Sequence, residues 1–125
     1  MTKSVSAAGA GFELDLGKTA DDIAWGRRVV FEVPGREDSL ATMRRLLDAL
    51  RVLVAAERPH TGGDARRERD YQNADRTLRT IGKTVNLPED LGGPNRVMAW
   101  TQCKHVAEVT ALFRAMHIAR IRRGE

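Results

Sequence analysis

Residues 64–85, DARRERDYQNADRTLRTIGKTV, decide the fold. Tyr71, Ala74, Leu78, Ile81 and Val85 recur in steps of three and four, the spacing that puts side chains on one face of an α-helix. Arg69, Gln72, Arg76, Arg79 and Lys83 follow the same steps with an offset of two positions. Two positions is about 200° of helical rotation, so the rows lie back to back. One face is built to enter a core and the other to present positive charge. Asp64, after the Gly62-Gly63 loop, is the expected N-cap, and Gly82 weakens the helix near its end.

Working outward, the segment before this one has a broader apolar stripe. Leu40, Met43, Leu47, Leu50 and Val54 hold the helical spacing, and Leu46 and Leu53 widen it. Asp38 or Ser39 is expected to cap this helix, and Arg58-Pro59 to end it. On the other side, Asn86 to Pro94 is a turn dense in helix breakers. A last helix is expected from about Asn95 to Arg122. Ala99, Cys103, Val106, Val109, Phe113 and Met116 form its main stripe, while Trp100, Ala107, Ala111, Ile118 and Ile121 form a second. A helix apolar on two sides either sits centrally in its bundle or also packs on another subunit. Trp100, Ile118 and Ile121 are the candidate partner interface.

The N-terminal third reads less plainly. Residues 12–16, Phe-Glu-Leu-Asp-Leu, alternate as a short strand does, and residues 28–33, Arg-Val-Val-Phe-Glu-Val, read as another, stopped by Pro34-Gly35. The competing reading is a helix from Asp21 to Val33 with Thr19 as its cap. It is preferred, although Gly26 and the β-branched run oppose it. Residues 1–11, MTKSVSAAGAG, are expected to be a flexible arm, with residues 12–125 forming one helical domain. The fold class expected is mainly α: a small three-helix bundle over residues 38–122, with a fourth short helix or a β-hairpin in the N-terminal third.

The chain has 125 residues, 21 Lys and Arg against 17 Asp and Glu, and a sequence pI near 9.8. Its charge is unevenly spread. Residues 1–57 carry eight basic and nine acidic groups, residues 58–85 seven and four, and residues 96–125 six and two. That asymmetry points the second half towards a polyanion or an acidic partner. A single cysteine, Cys103, allows no intrachain disulfide. With no signal-like apolar run near Met1 and no span of ~20 apolar residues, a cytoplasmic protein without a membrane partner is expected.

Spacing argues against most catalytic chemistry. Gly-Lys-Thr occurs at 17–19 and 82–84, but a phosphate loop needs a glycine five residues earlier, where Phe12 and Thr77 stand. His105 and Glu108 share a helix face, His117 lies three turns beyond His105, and Cys103 points elsewhere, so no zinc-ligand spacing results. Asp21-Asp22 and Glu89-Asp90 sit where caps and turns favour acids. No serine, cysteine or histidine has an evident partner for nucleophilic catalysis. The expectation is a protein that is not an enzyme and holds no metal or cofactor. Residues 80–106 resemble a helix-turn-helix in outline, with Trp100 buried in the second helix. Pro88 to Pro94, however, is longer than the three or four residues that motif allows.

What remains is the basic row. Steps of three and four residues advance about 4.5–6 Å along a helix, comparable to the separation of successive phosphates on one strand. Guanidinium groups in such a row suit backbone contact without base reading. Asp75–Arg79 at i, i+4 and Arg66–Asp70 are the expected internal pairs. Arg69, Gln72, Arg76, Arg79 and Lys83 are therefore the candidate backbone contacts, extended by Arg114, Arg120, Arg122 and Arg123. The function expected is a non-catalytic basic subunit touching nucleic acid backbone within an assembly or homo-oligomer. The alternatives are an adaptor that packs on protein, a helix-turn-helix-like regulator, and a charged face that is merely solvated.

Overall fold

Asp15 starts the first of four helices: its side chain accepts a hydrogen bond from the Lys18 N–H at 3.0 Å, which satisfies an otherwise unpaired donor of the first turn. The helices are α1 (Leu16–Gly26), α2 (Arg36–Glu57), α3 (Ala65–Gly82) and α4 (Arg96–Arg122). A short antiparallel pair, β1 (Val5–Ser6) with β2 (Glu13–Leu14), precedes them. The structure, a computed structural model, describes residues 5, 6 and 12–124. Apart from Val5 and Ser6, the expected arm lies outside the described residues.

The mainly α class holds, with α1 as a fourth helix. Its bounds differ from the expected Asp21–Val33. Asp15, not Thr19, is the cap, and Thr19 instead bonds back to the Asp15 carbonyl at 2.8 Å. The helix ends at Gly26, where the chain lies tight against α4: a Cβ on Gly26 would lie 2.8 Å from the Ala107 Cβ. Residues 28–33 consequently form neither the strand nor the helical turn that the sequence suggests; they are an irregular link to α2. The expected strand at 12–16 contracts to Glu13–Leu14, whose Leu14 is fully buried.

Helix α2 starts two residues before Asp38, with Gly35 as N-cap and Glu37 and Asp38 in its first turn, where acids complement the helix dipole. Its whole predicted stripe is buried. Asp64 caps α3 as expected, accepting from the Arg66 N–H at 2.9 Å. That helix stops at Gly82, so Lys83 is its C-cap and Val85 packs into the core from the following turn. Gly93 closes the α3–α4 connection; a side chain there would run into the Leu87 carbonyl.

Helices α2 and α4 run parallel as the central pair. Arg36 Nε donates to the Pro94 carbonyl at 2.7 Å at one end, Thr110 Oγ1 to the Leu46 carbonyl at 3.5 Å midway, and His117 meets Glu57 at the other end. Both flanking helices run antiparallel to α4. Helix α1 begins beside Arg114, which donates to the Leu16 carbonyl at 3.0 Å, and ends beside Lys104, which donates to the Gly26 carbonyl at 3.3 Å. Helix α3 starts near Phe113, whose ring centroid is 5.2 Å from that of Tyr71, and ends near Gln102 and His105, which line one cleft with Ile81. Leu46, Leu50, Leu53, Val106 and Phe113 are fully enclosed between the elements; each such side chain is worth ~1.5–3 kcal/mol in burial.

The Gly26–Ala107 approach gives a test. Gly26→Ala is expected to destabilise by roughly 1–3 kcal/mol through overpacking, measured by urea unfolding. Adding Ala107→Gly opens the space again, and the double variant is expected to recover part of the loss.

Candidate nucleic-acid interface

The two rows of α3 separate in space as their spacing requires. Tyr71, Ala74 and Ile81 are buried and Leu78 half-buried against α2 and α4, while Arg69, Gln72, Arg76, Arg79 and Lys83 are all exposed. The helix is held by one face, and its polar face is left to solvent.

Two of the carboxylates near the row, Asp70 and Asp75, are drawn away from it. Asp75, expected to pair with Arg79 along the helix, instead takes both bonds of Arg58 Nη2, at 3.0 and 2.9 Å. Arg58 also lies over the Tyr71 ring, 4.7 Å from its centroid. It reaches this position from the 3₁₀ turn Arg58–His60 that follows α2. Asp70 pairs with Arg67 at 3.1 Å rather than with Arg66. The result is selective. Among the described arginine and lysine side chains, those with no hydrogen bond, ion pair or ring contact are Arg66, Arg69, Arg76, Arg79, Lys83 and Arg122. Five of these six belong to α3 or its C-cap.

Beside the row, between α3 and α4, runs a cleft of ≈ 370 Å³ with Arg76 on its lip. Asn73, Thr77, Thr80, Gln102 and His105 line it, and no carboxylate does. Thr77 Oγ1 and His105 Nε2 are 3.1 Å apart, which fixes the imidazole against the cleft wall. The row is thus bordered on the α4 side by hydroxyl, amide and imidazole groups that do not oppose an anion.

The C-terminal arginines divide. Arg114 is spent on the Leu16 carbonyl and Arg120 is drawn into a buried network, so neither extends the row. Arg122 and Arg123 remain exposed at the end of α4. The proposed apolar interface divides as well. Trp100 is buried by α1, edge-on to Trp25 with centroids 5.2 Å apart, while Ile118 is half-buried and Ile121 exposed, about five to six turns further along. They do not form one surface: α1 covers the Trp100 end of that stripe, the physical role its two-sidedness left open. Residues 80–106 likewise do not adopt helix-turn-helix geometry, because α3 and α4 run back alongside each other instead of crossing after a short turn.

The network that takes Arg120 has no sequence signature. Glu57 ends α2 almost fully enclosed, with His117 Nδ1 2.7 Å from its Oε2 and Arg120 Nε 3.1 and 3.0 Å from its two oxygens. Burial pushes the Glu57 carboxyl up, but the hydrogen bonds from Arg120 and His117 outweigh it and hold the group below its ordinary range. The ionised carboxylate only accepts, which assigns the Nδ1 proton to His117. Glu57 is sixty or more residues from both His117 and Arg120 in sequence, so only the tertiary fold brings it to them. Cys103 is buried against α1, and that burial pushes its thiol up to about 11, so it stays protonated at neutral pH. Among the described residues no group of three His, Cys, Asp or Glu is placed to hold a metal ion, and no helix is long and apolar enough to cross a membrane.

Glu57 predicts a pH dependence. Its folded pKa lies below the unfolded value of about 4.3, so its contribution is complete above that pH and is lost as pH falls through the folded value. Glu57→Gln removes the carboxylate that accepts from both His117 and Arg120 and is expected to cost roughly 1–3 kcal/mol at pH 7. In urea unfolding the gap between variant and wild type should narrow steadily below about pH 4.3.

Set against models of known protein families, against curated proteins and against solved structures, the chain matches none of them.

Proposed function

We propose that the exposed face of α3 binds the sugar–phosphate backbone of a nucleic acid, independently of sequence, and that the protein is a non-catalytic binding subunit. One observation carries this reading: the cationic side chains left without internal partners are concentrated on one helix face, while Asp70 and Asp75 beside them are engaged by Arg67 and Arg58. A face that is only solvated has no need for Arg58 to remove Asp75 from the reach of Arg79.

Arg69, Arg76, Arg79 and Lys83 supply the charge in this reading. The row extends about 21 Å, at 1.5 Å per residue over the 14 steps from Arg69 to Lys83, and so meets several consecutive phosphates. Each arginine offers a planar fork of donors suited to a phosphate's oxygens, and Gln72 adds a neutral donor in the same line. The cleft beside Arg76, lined otherwise by uncharged side chains, leaves room for the sugar edge of the strand. Base reading has little support, since Trp25, Trp100 and Tyr71 are packed inside the chain and none is presented for stacking. Such binding is electrostatic and weak for one copy, and it grows when several copies line up on one strand.

The reading is tested by binding to fluorescently labelled single- and double-stranded oligonucleotides across a salt series. The logarithm of affinity should fall linearly with the logarithm of salt, with a slope set by the number of phosphates neutralised. Arg76→Glu with Arg79→Glu is expected to abolish binding while leaving the helical circular dichroism unchanged. Unaltered binding by that variant would leave the row a solvated face. A finer outcome concerns the guard residue: Arg58→Ala releases Asp75 to Arg79, and affinity should drop several-fold although Arg58 is not itself in the row.

A further inference from the structure

The link between α1 and α2 contains an anomaly that the basic row does not touch. Val29 and Phe31 are fully exposed, in a run, Arg-Val-Val-Phe-Glu-Val at 28–33, whose residues favour strands. The backbone N–H and carbonyl groups of Val29, Val30, Phe31 and Glu32 make no hydrogen bond among the described residues. The segment bends at Phe31–Glu32 with no backbone hydrogen bond across the bend, the Glu32 carboxylate alone lying 3.7 Å from Arg96.

Its two ends, by contrast, are pinned. Lys104 Nζ donates to the carbonyls of Gly26 and Arg28, each at 3.3 Å. Arg96 Nε donates to the carbonyls of Val33 and Pro34 at 2.9 and 3.1 Å. A short stretch of unpaired, apolar backbone is therefore tethered at a defined place, at the end of the bundle where α2 and α4 begin. The same end carries Leu87, Leu91, Val97 and Met98. Of the eight large hydrophobic side chains exposed among the described residues, six are here. A concentration of that kind marks a contact surface rather than scattered surface apolar groups.

The occupant is indicated by the segment's own sequence. Antiparallel pairing of two copies about Val30 sets each Arg28 opposite the other copy's Glu32. The same register sets each Val29 opposite the other copy's Phe31. Opposite charges and aromatic–β-branched pairs are the favourable cross-strand combinations. The arrangement obeys two-fold symmetry, the commonest symmetry of homodimers. Val29 and Phe31 of both copies then share one face, and the unpaired backbone groups find partners across the axis. Pro34 stops the ladder beyond it. We propose that this segment is a dimerisation strand through which two copies of the chain join, straightening the bend as they pair. The proposal is independent of nucleic acid binding, although a dimer doubles the number of α3 rows.

Sedimentation equilibrium of the full chain, from micromolar to near-millimolar concentration, tests it. Wild type should shift from monomer to dimer mass across that range. Phe31→Asp and, separately, Val30→Pro should remain monomeric at every concentration, with helical circular dichroism unchanged because neither side chain is part of the core. Arg28→Glu and Glu32→Arg, each alone, place like charges opposite one another twice per dimer and should weaken association several-fold; the two together restore the pairs and should recover it. Recovery cannot come from within one chain. Arg28 stacks on Trp25 at 4.9 Å and Glu32 lies 3.7 Å from Arg96, contacts that the exchange breaks. A wild type that stays monomeric overturns the proposal, as does a Phe31→Asp variant that dimerises normally. Failure of the double exchange to recover association overturns the register.

Discussion

The parallel contact of α2 with α4 is the constraint on which the rest depends. Leu46, Leu50 and Leu53 on one helix and Val106, Thr110 and Phe113 on the other are removed from water along most of their length. Parallel neighbours need a crossover, and α3 provides it, returning along the seam so that Tyr71, Ala74 and Ile81 close one side. Helix α1 closes the other, where the absence of a side chain at Gly26 lets it approach Ala107. The far end is fixed by a charge set rather than by apolar packing: Glu57 joins the end of α2 to His117 and Arg120 on α4. Such a buried set adds directional bonds that fix the axial register of two helices whose apolar stripes alone would tolerate sliding.

That architecture explains why the polar face of α3 is available. The helix contributes only one narrow row to the core, so its other side meets no neighbour. Arginines placed elsewhere are consumed in holding the bundle together: Arg45 bonds Asp22 at 2.9 and 3.0 Å to tie α1 to α2, Arg27 reaches Glu108 at 2.6 Å to tie α1 to α4, and Arg36 and Arg96 bind loop carbonyls. A basic composition therefore does not translate into a uniformly positive surface. About half of the guanidinium groups act as cross-links between elements, and four of the five without a partner lie on α3.

Much of the helical scaffold was legible residue by residue. The stripe from Leu40 to Val54, the stripe from Ala99 to Met116, the Asp64 cap and the stop at Arg58-Pro59 all follow from local periodicity and backbone chemistry. The N-terminal third was less legible because its competing signals are short. Thr19 suits an N-cap although Asp15 takes that role, and the β-branched run at 29–33 favours a strand that finds no partner among the described residues. The candidate site was half legible. The spacing of Arg69, Gln72, Arg76, Arg79 and Lys83 set their common face, but the availability of each charge depended on where distant carboxylates went.

The sequence by itself determined helices α2, α3 and α4, their buried faces and the alignment of the basic row, because these depend on rotation per residue and on local caps. Tertiary structure alone decided which charges stay free. Asp75 had a nearby candidate in Arg79, yet it is captured by Arg58, seventeen residues away in sequence and held over Tyr71. Arg120 and Arg114, indistinguishable in the sequence from Arg122, are withdrawn into Glu57 and the Leu16 carbonyl. The physical reason is common to all three: a guanidinium is paired by whatever acceptor the packed helices bring within about 3 Å, and that proximity is a property of the assembled bundle.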